Sequence, residues 1–292
     1  MTVFGLIPVP SCKTSMKNGA PDSMANQQQF CDPTSPPDLQ LCEAVPKDAS
    51  AIFVLKQQAF GANYLAYTIY QAPKSVSFIQ RVIAERRPGQ RFTVLRREGA
   101  VIGYYQAAML HRNLLLNYIA VAASERGSGF GDLLLEDFEA YAKTLGCRAL
   151  LLDVFASNPD AVNWYSRRGF RFQSAQHLSR VSIAQVDSGV RCPLAIDKGA
   201  MAEALAEESA RGFSKVHCSC STEGHLELGL IDGHVCKFMD LSGVTAELAM
   251  ASISHRFRTA RDVLVLYSTD PLPAAWPILT SEKSLRLAKE VC

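Results

Sequence analysis

The sequence predicts an α/β protein: a sheet of mixed strand direction flanked by helices, with a further α/β region behind it. Three observations carry that prediction. Strand and helix periodicities follow one another in the order βααβββαβαβ over residues 39–185. The run 149–155, Ala-Leu-Leu-Leu-Asp-Val-Phe, is nearly continuous in apolar residues, as in strands covered on both faces. A glycine-rich segment at 126–131 stands between a strand and a helix, where unbonded main-chain N–H groups face outward.

Composition bounds the class. The chain has 292 residues, 48% hydrophobic and 20% charged, enough for two domains with a sizeable core. Lys plus Arg is 30 and Asp plus Glu is 28, a formal +2, which lacks the basic bias of a dedicated nucleic-acid binder. No apolar run approaches the roughly 18 residues of a membrane span, so no membrane partner is expected. Nine cysteines are scattered over a long chain with no secretory signal. They read as reduced thiols in a cytoplasmic protein rather than a disulfide framework.

Taking the elements in order, residues 1–38 carry six prolines and the polar tract Asn26-Gln27-Gln28-Gln29, which reads as a flexible leader, with Met16 and Met24 as alternative starts. Residues 39–44 alternate as a strand, and Pro46 opens a helix that runs through Phe60. Residues 75–85 place Val76, Ile79, Val82 and Ile83 at helical spacing, and Pro88-Gly89 ends that segment. Strands follow at 91–96 and 101–110, joined by the Glu98-Gly99 turn, and a third at 114–121. Leu133, Leu134, Phe138, Tyr141 and Leu145 share one face of a helix over 132–144 that Gly146 stops. A short helix at 161–168 and a strand from Phe170 to 183 complete the first domain, 39–185.

Residues 186–292 form the second region, with helices expected at 197–210 and 244–259 and strands at 214–220, 225–239 and 263–267. Offset by 112 residues, Gly131 falls on Gly243, Leu152 on Leu264, Pro159 on Pro271 and Trp164 on Trp276. Such self-similarity predicts an internal repeat, a degenerate half of the first fold. The same offset lays Arg126, Gly127 and Gly129 on Phe238, Met239 and Leu241, and Tyr165 on Pro277. That half is therefore expected to pack on the first domain through a sheet edge, walling a pocket or forming an oligomer contact such as a homodimer's, and not to bind the first domain's ligand.

The strongest chemical signal is Arg126-Gly127-Ser128-Gly129-Phe130-Gly131. Alternating glycines permit positive φ and close backbone approach, and the helix start that follows is an anion site suited to a pyrophosphate. The strand before it closes a meander rather than opening a βαβ unit, which speaks against a dinucleotide fold. Ile119-Ala120-Val121 followed by Arg126, Gly129 and Gly131 resembles the [Gln/Arg]-x-x-Gly-x-[Gly/Ala] acyl-CoA motif of the GCN5-related N-acetyltransferases, the GNAT superfamily. Leu152-Asp153-Val154, Asn158, Ala161, Tyr165 and Gly169-Phe170 are similar to that family's second signature block. The resemblance spans 39–185.

The resemblance implies a GNAT fold, in which the central sheet splays open, with acetyl-CoA as the acyl donor. It implies that the backbone of Ile119, Ala120 and Val121 pairs with the pantetheine arm. An N–H near Val121 would polarise the thioester carbonyl. The N–H groups of Arg126, Gly127, Ser128, Gly129, Phe130 and Gly131 would hold the pyrophosphate, Asn158 would touch the cofactor, and Tyr165 would protonate the departing thiolate. Tyrosine suits that last role as a donor at neutral pH; a core aromatic is its other reading. Acceptor walls are implied at 60–70 and 173–181, with Tyr64, Tyr67, Tyr70 and His177. The implied reaction moves acetyl to a primary amine, on a small molecule or a protein, by direct attack in a ternary complex. No cysteine stands in either motif to form a covalent intermediate. The alternative from another class is an acyl-CoA-binding sensor with little turnover.

An attacking amine must lose a proton. Asp153, Glu125 and His111 are the candidate bases, each with an ordinary structural reading beside it. Arg167, Arg168 and Arg171 are candidates for the 3′-phosphate, although arginine pairs such as Arg86-Arg87, Arg96-Arg97 and Arg167-Arg168 are more often solvated faces. His217, Cys218, Cys220, His225, His234 and Cys236 have ligand chemistry suited to zinc, but without a Cys-x-x-Cys knuckle they read as buried thiols and no metal is expected.

Overall fold

The computed structural model describes residues 39–65, 67–68, 70, 74–182, 194–195, 198–220, 225–231, 235–240, 263–268, 271–272, 274 and 276–291. The leader 1–38 and the helix expected at 244–259 lie outside the described residues.

Strand β1 (Leu39–Glu43) is followed by helices α1 (Ala49–Ala59), α2 (Ala62–Leu65) and α3 (Ser75–Glu85). Then come β2 (Gln90–Arg97), β3 (Ala100–Leu110), β4 (Asn113–Val121), α4 (Phe130–Thr144), β5 (Ala149–Phe155), α5 (Pro159–Arg167) and β6 (Arg171–Ser182). The second half supplies β7 (Leu194–Ala195), α6 (Lys198–Arg211), β8 (Phe213–Cys220), β9 (His225–Ile231), β10 (Val235–Asp240), β11 (Val263–Ser268) and β12 (Ile278–Glu290). The expected order over 39–185 holds apart from one added short helix, α2, and α3 and β5 have the expected bounds.

Two apolar clusters sandwich the first half of the sheet. Ile52, Leu55, Ile79, Val82 and Ile83 of α1 and α3 meet Val94, Tyr104, Tyr118 and Phe155 on one face. Leu134, Leu135, Phe138 and Ala142 of α4 meet Leu114, Leu116, Leu150, Leu152 and Val154 on the other. Burial on both sides explains why β5 reads as a continuous apolar run. Each large aliphatic side chain so covered contributes about 1.5–3 kcal/mol.

Among the described residues twelve strands form one sheet, in the order β1-β2-β3-β4-β5-β12-β6-β11-β10-β9-β8-β7. β5 takes as its outer neighbour the last strand of the second half, and β11 takes the last strand of the first half. β6 and β12 run antiparallel between them. Read from either edge inward, the two halves repeat one pattern: three antiparallel ladders (β1-β2-β3-β4 and β7-β8-β9-β10), then one parallel ladder (β4-β5 and β10-β11). The internal repeat is therefore present in the topology, with the two closing strands exchanged across its centre.

Two expectations are corrected by this sheet. Strand β12 was not foreseen, and it places the end of the 186–292 region inside the sheet of 39–185. The uniform 112-residue offset is also wrong over most of its length. It lays β9 on β4, whereas the parallel ladder of the second half is built by β10, and the single strand expected at 225–239 is two. Loops of different length shift the correspondence as the chain proceeds, so Phe238 and Met239 occupy strand positions and are not the counterparts of Arg126 and Gly127.

Candidate active site

The site begins with a failure of pairing. β4 and β5 are hydrogen-bonded in parallel only at Leu114–Leu116 against residues 150–152. Beyond that point Tyr118, Ile119, Ala120 and Val121 stay paired with β3, and Asp153, Val154 and Phe155 stay paired with β12. The cause is a bulge: Gln106 faces Tyr118 and Ala107 faces Leu116, so Asn117 is the extra residue on β4. The two strands diverge just after it. β10 repeats the device, with its parallel pairing at 235–237 and a register shift between Phe238 and Asp240.

The chain leaves β4 at the open end of that gap and enters the glycine segment. Gly127 and Gly129 have φ of +83° and +82°, a region L side chains rarely adopt, and a side-chain carbon built on either would meet no atom within 4 Å. Among the described residues no backbone carbonyl accepts from the N–H groups of Gly127, Ser128, Gly129, Phe130 or Gly131. The segment thus presents a run of main-chain donors without carbonyl partners at the positive end of a 15-residue helix, Phe130–Thr144. Arg126 reaches back to the carbonyl of Gln58 at the end of α1, 3.5 Å away. Gly131 serves a different purpose: a side-chain carbon there would stand 3.3 Å from Trp164, so its absence lets α4 and α5 approach. The geometry fits a pyrophosphate at residues 127–131 and an extended arm beside residues 119–121.

Residues 52–170 match the family model for the "Acetyltransferase (GNAT) family". Those residues form a GNAT-family domain. Similarity of fold extends well beyond it. A tandem GNAT protein from the clavulanic acid biosynthesis pathway, solved without AcCoA, aligns over 87% of this chain and 99% of its own at TM-score 0.63 and 12% identity. A GCN5-related N-acetyltransferase from Sphaerobacter thermophilus aligns over 88% of this chain and 97% of its own, at TM-score 0.60 and 15% identity. No curated protein matches the chain. The second half is GNAT-like in its strand topology, and between Asp240 and Val263 it has Gly243 as its single glycine. The paired glycines of the cradle have no counterpart there.

The GNAT domain places the remaining candidates as follows. Asn158 caps α5, its Oδ1 accepting from the Ala161 N–H at 3.2 Å. Tyr165 is 1% exposed and lies in the core under α4 and α5, edge-on to Trp164 (4.8 Å) and Phe170 (5.7 Å).

Two of the three candidate bases are engaged in ion pairs, and the third is exposed at a turn. Asp153, on the stretch of β5 past the splay, is 2% exposed and forms a two-pronged ion pair with Arg286 of β12. Burial pushes its carboxyl up to about 6, against the pull of that guanidinium. Glu125 pairs with Arg97 at 2.8 Å, and the Arg97 guanidinium lies 4.8 Å from the Phe130 ring. His111 sits exposed at the β3–β4 turn with φ +56°. Nor is every arginine pair a solvated face. Arg96 binds the buried Asp48 at 2.6 Å, and Arg168 pairs with Asp132 while covering Trp164 at 4.1 Å, tying α5 to the start of α4. Arg167 and Arg171 are exposed.

Tyr64, Tyr67 and Tyr70 are buried beside the open ends of β4 and β5. Tyr64 lies 5.2 Å from Phe155 and Tyr70 lies 5.3 Å from Tyr118, ring to ring. Tyr67 donates to Thr280 Oγ1 on β12 at 2.7 Å, so the second half closes this side of the site. His177 lies on β6 opposite Lys283 and Ser268. Of the soft-ligand set, His217 is exposed, 3.6 Å from Glu227; His234 and the side chains of the others lie outside the described residues. Among the described residues no group of three His, Cys, Asp or Glu could hold a metal, and no helix is long and apolar enough to cross a membrane.

Lys56 is the residue sequence reasoning missed. It is completely buried on the sheet side of α1, its Nζ between the rings of Tyr70 and Tyr118 at 3.3 and 3.4 Å from their centroids, with Tyr104 at 5.8 Å. The signal was present in the pattern: Lys56 falls four residues after Ile52, on the apolar stripe of its helix.

Proposed function

We propose that the chain is an N-acetyltransferase that moves acetyl from acetyl-CoA to a primary amine by direct attack in a ternary complex. The observation that carries this reading is the conjunction of the β4–β5 gap after Asn117 with the open glycine cradle at residues 127–131. A ligand seated there has its anionic end against main-chain N–H groups and its arm along Ile119, Ala120 and Val121. Its reactive end then lies towards Tyr118, at the wall formed by Phe60, Tyr64, Tyr67 and Phe155. Backbone donors along the open stretch of β4 supply electrostatic stabilisation as the thioester oxygen gains charge. Tyr165 gives its phenolic proton to the CoA thiolate, and Asn158 orders the α5 start against the cofactor.

The test is thiol release from acetyl-CoA with a panel of primary amines, measured beside thermal stabilisation by acetyl-CoA alone. Amine-dependent release with stabilisation supports the transferase reading. Stabilisation without release by any amine supports an acyl-CoA-binding module instead.

A further inference from the structure

We propose that Lys56 is the base that takes the proton from the acceptor's ammonium group, its nitrogen held for that purpose between Tyr70 and Tyr118. The inference rests on the acetyltransferase reading and adds the group that reading lacks.

The surroundings of Nζ define its chemistry. No hydrogen-bond acceptor reaches it among the described residues. Among the described residues the groups round it are uncharged rings: Tyr70 from the segment before α3, Tyr104 from β3 and Tyr118 from β4. The buried Asp48 stands at the opposite end of α1 and is paired with Arg96. No carboxylate acts on it, and burial alone pulls its pKa well below 10.5. An amine in such a place gives up its proton more readily than an exposed lysine, which favours the free lone pair a base requires. A lysine left there for packing would be costly, because a buried amine without a hydrogen-bond acceptor destabilises the fold. A leucine or methionine would fill the same space.

Position supplies the second argument. Tyr118 is the first residue after the Asn117 bulge and directly precedes Ile119, Ala120 and Val121. The ring against which Nζ rests is thus on the strand that opens, at the end of the gap where the thioester would lie. Gln58, two residues along α1, touches Arg126 of the glycine segment. Asp153 and Glu125 are held by Arg286 and Arg97, and His111 lies exposed at the β3–β4 turn, whereas Lys56 has no hydrogen-bond acceptor among the described residues.

The step balances without a further reagent. R–NH3⁺ transfers one proton to the Lys56 lone pair, giving R–NH2 and a lysine ammonium. The new cation rests on the faces of Tyr70 and Tyr118, whose quadrupoles attract it. The amine then attacks the thioester carbon; the C–N bond forms, the C–S bond breaks, and the thiolate takes a proton from Tyr165. The amide nitrogen returns a proton to Tyr165, and Lys56 passes its own to water as products leave.

The experiment compares wild type with Lys56→Met, of similar length, and Lys56→Arg, which keeps the cation but cannot act as a base. Thiol release from acetyl-CoA is measured with 2-phenylethylamine, mostly protonated at neutral pH, and with hydroxylamine, mostly neutral there. Both variants should lose about 10²-fold or more with the amine and far less with hydroxylamine. The amine rate in Lys56→Met should climb about tenfold per pH unit as free amine accumulates. Equal losses with both nucleophiles, or no loss with either, overturn the assignment. So does an acetyl group found on Lys56 itself by mass spectrometry, which would make it a nucleophile. Stabilisation by acetyl-CoA in each variant reports the cofactor-binding reading separately, so failure of one is not mistaken for failure of the other.

Discussion

Asp153 and Arg286 stand directly opposite each other on β5 and β12, and both prongs of the carboxylate meet the guanidinium. One residue comes from each half of the chain. Beside the pair, Lys289 reaches Glu139 of α4 at 2.6 Å and Ser157 donates to Glu282 at 2.9 Å. The exchanged strand is therefore fastened to the first half by charge as well as by its ladders.

Breaking this pair from one side leaves a buried charge. Arg286→Met should destabilise the protein by about 3–5 kcal/mol at pH 8, read by urea denaturation, and the loss should shrink towards pH 5 as the stranded carboxyl takes a proton. In the wild type the same group has a sign that can be worked out. Its native value, about 6, lies above its ordinary 3.8, so between those values the native state binds more protons than the unfolded chain. The contribution of Asp153 is greatest below about 4 and falls as pH rises through 6. Asp153→Asn with Arg286→Met together should recover most of the single-variant loss.

Lys56 titrates in the opposite sense. The native site sheds a proton that the unfolded chain keeps up to its ordinary 10.5, so stability should rise with pH across the interval below that value. Lys56→Met should remove this slope and raise stability at pH 7 by roughly 1–3 kcal/mol. A gain in stability together with a loss of turnover is the mark of a residue kept for chemistry.

Tyr165→Phe preserves the packing against Trp164 and Phe170. If the hydroxyl serves the leaving thiolate, kcat should fall about 10²-fold with acetyl-CoA affinity nearly unchanged. Unchanged turnover would leave Tyr165 as a core aromatic.

The local elements were legible because each has its own periodicity. The α3 stripe of Ile79, Val82 and Ile83 and the apolar run of β5 gave their bounds directly, and the glycine segment at 126–131 was read from its place between β4 and α4. What escaped was non-local. Ile278–Glu290 mixes Ser, Glu, Lys and Arg with Leu279, Leu285 and Leu287, and only its partners β5 and β6 make it a central strand. The 112-residue offset matched β5 to β11 but missed β4 and β10, because loop lengths differ between the halves. Asp153 was legible as a buried carboxylate, yet its partner lies 133 residues away. Lys56 was visible as a charge on an apolar stripe, but the tyrosines that surround it come from three separate elements.

Titration of acetyl-CoA into wild type, Gly129→Val and Gly99→Ala tests the central claim most directly. Gly129 (φ +82°) and Gly99 (φ +80°) are alike in backbone strain, and neither would bring a side-chain carbon within 4 Å of a neighbour. They differ in that only Gly129 lies in the cradle. Saturable one-to-one binding by wild type and Gly99→Ala, lost in Gly129→Val, is the predicted result. Equal affinity of all three proteins for acetyl-CoA would contradict it.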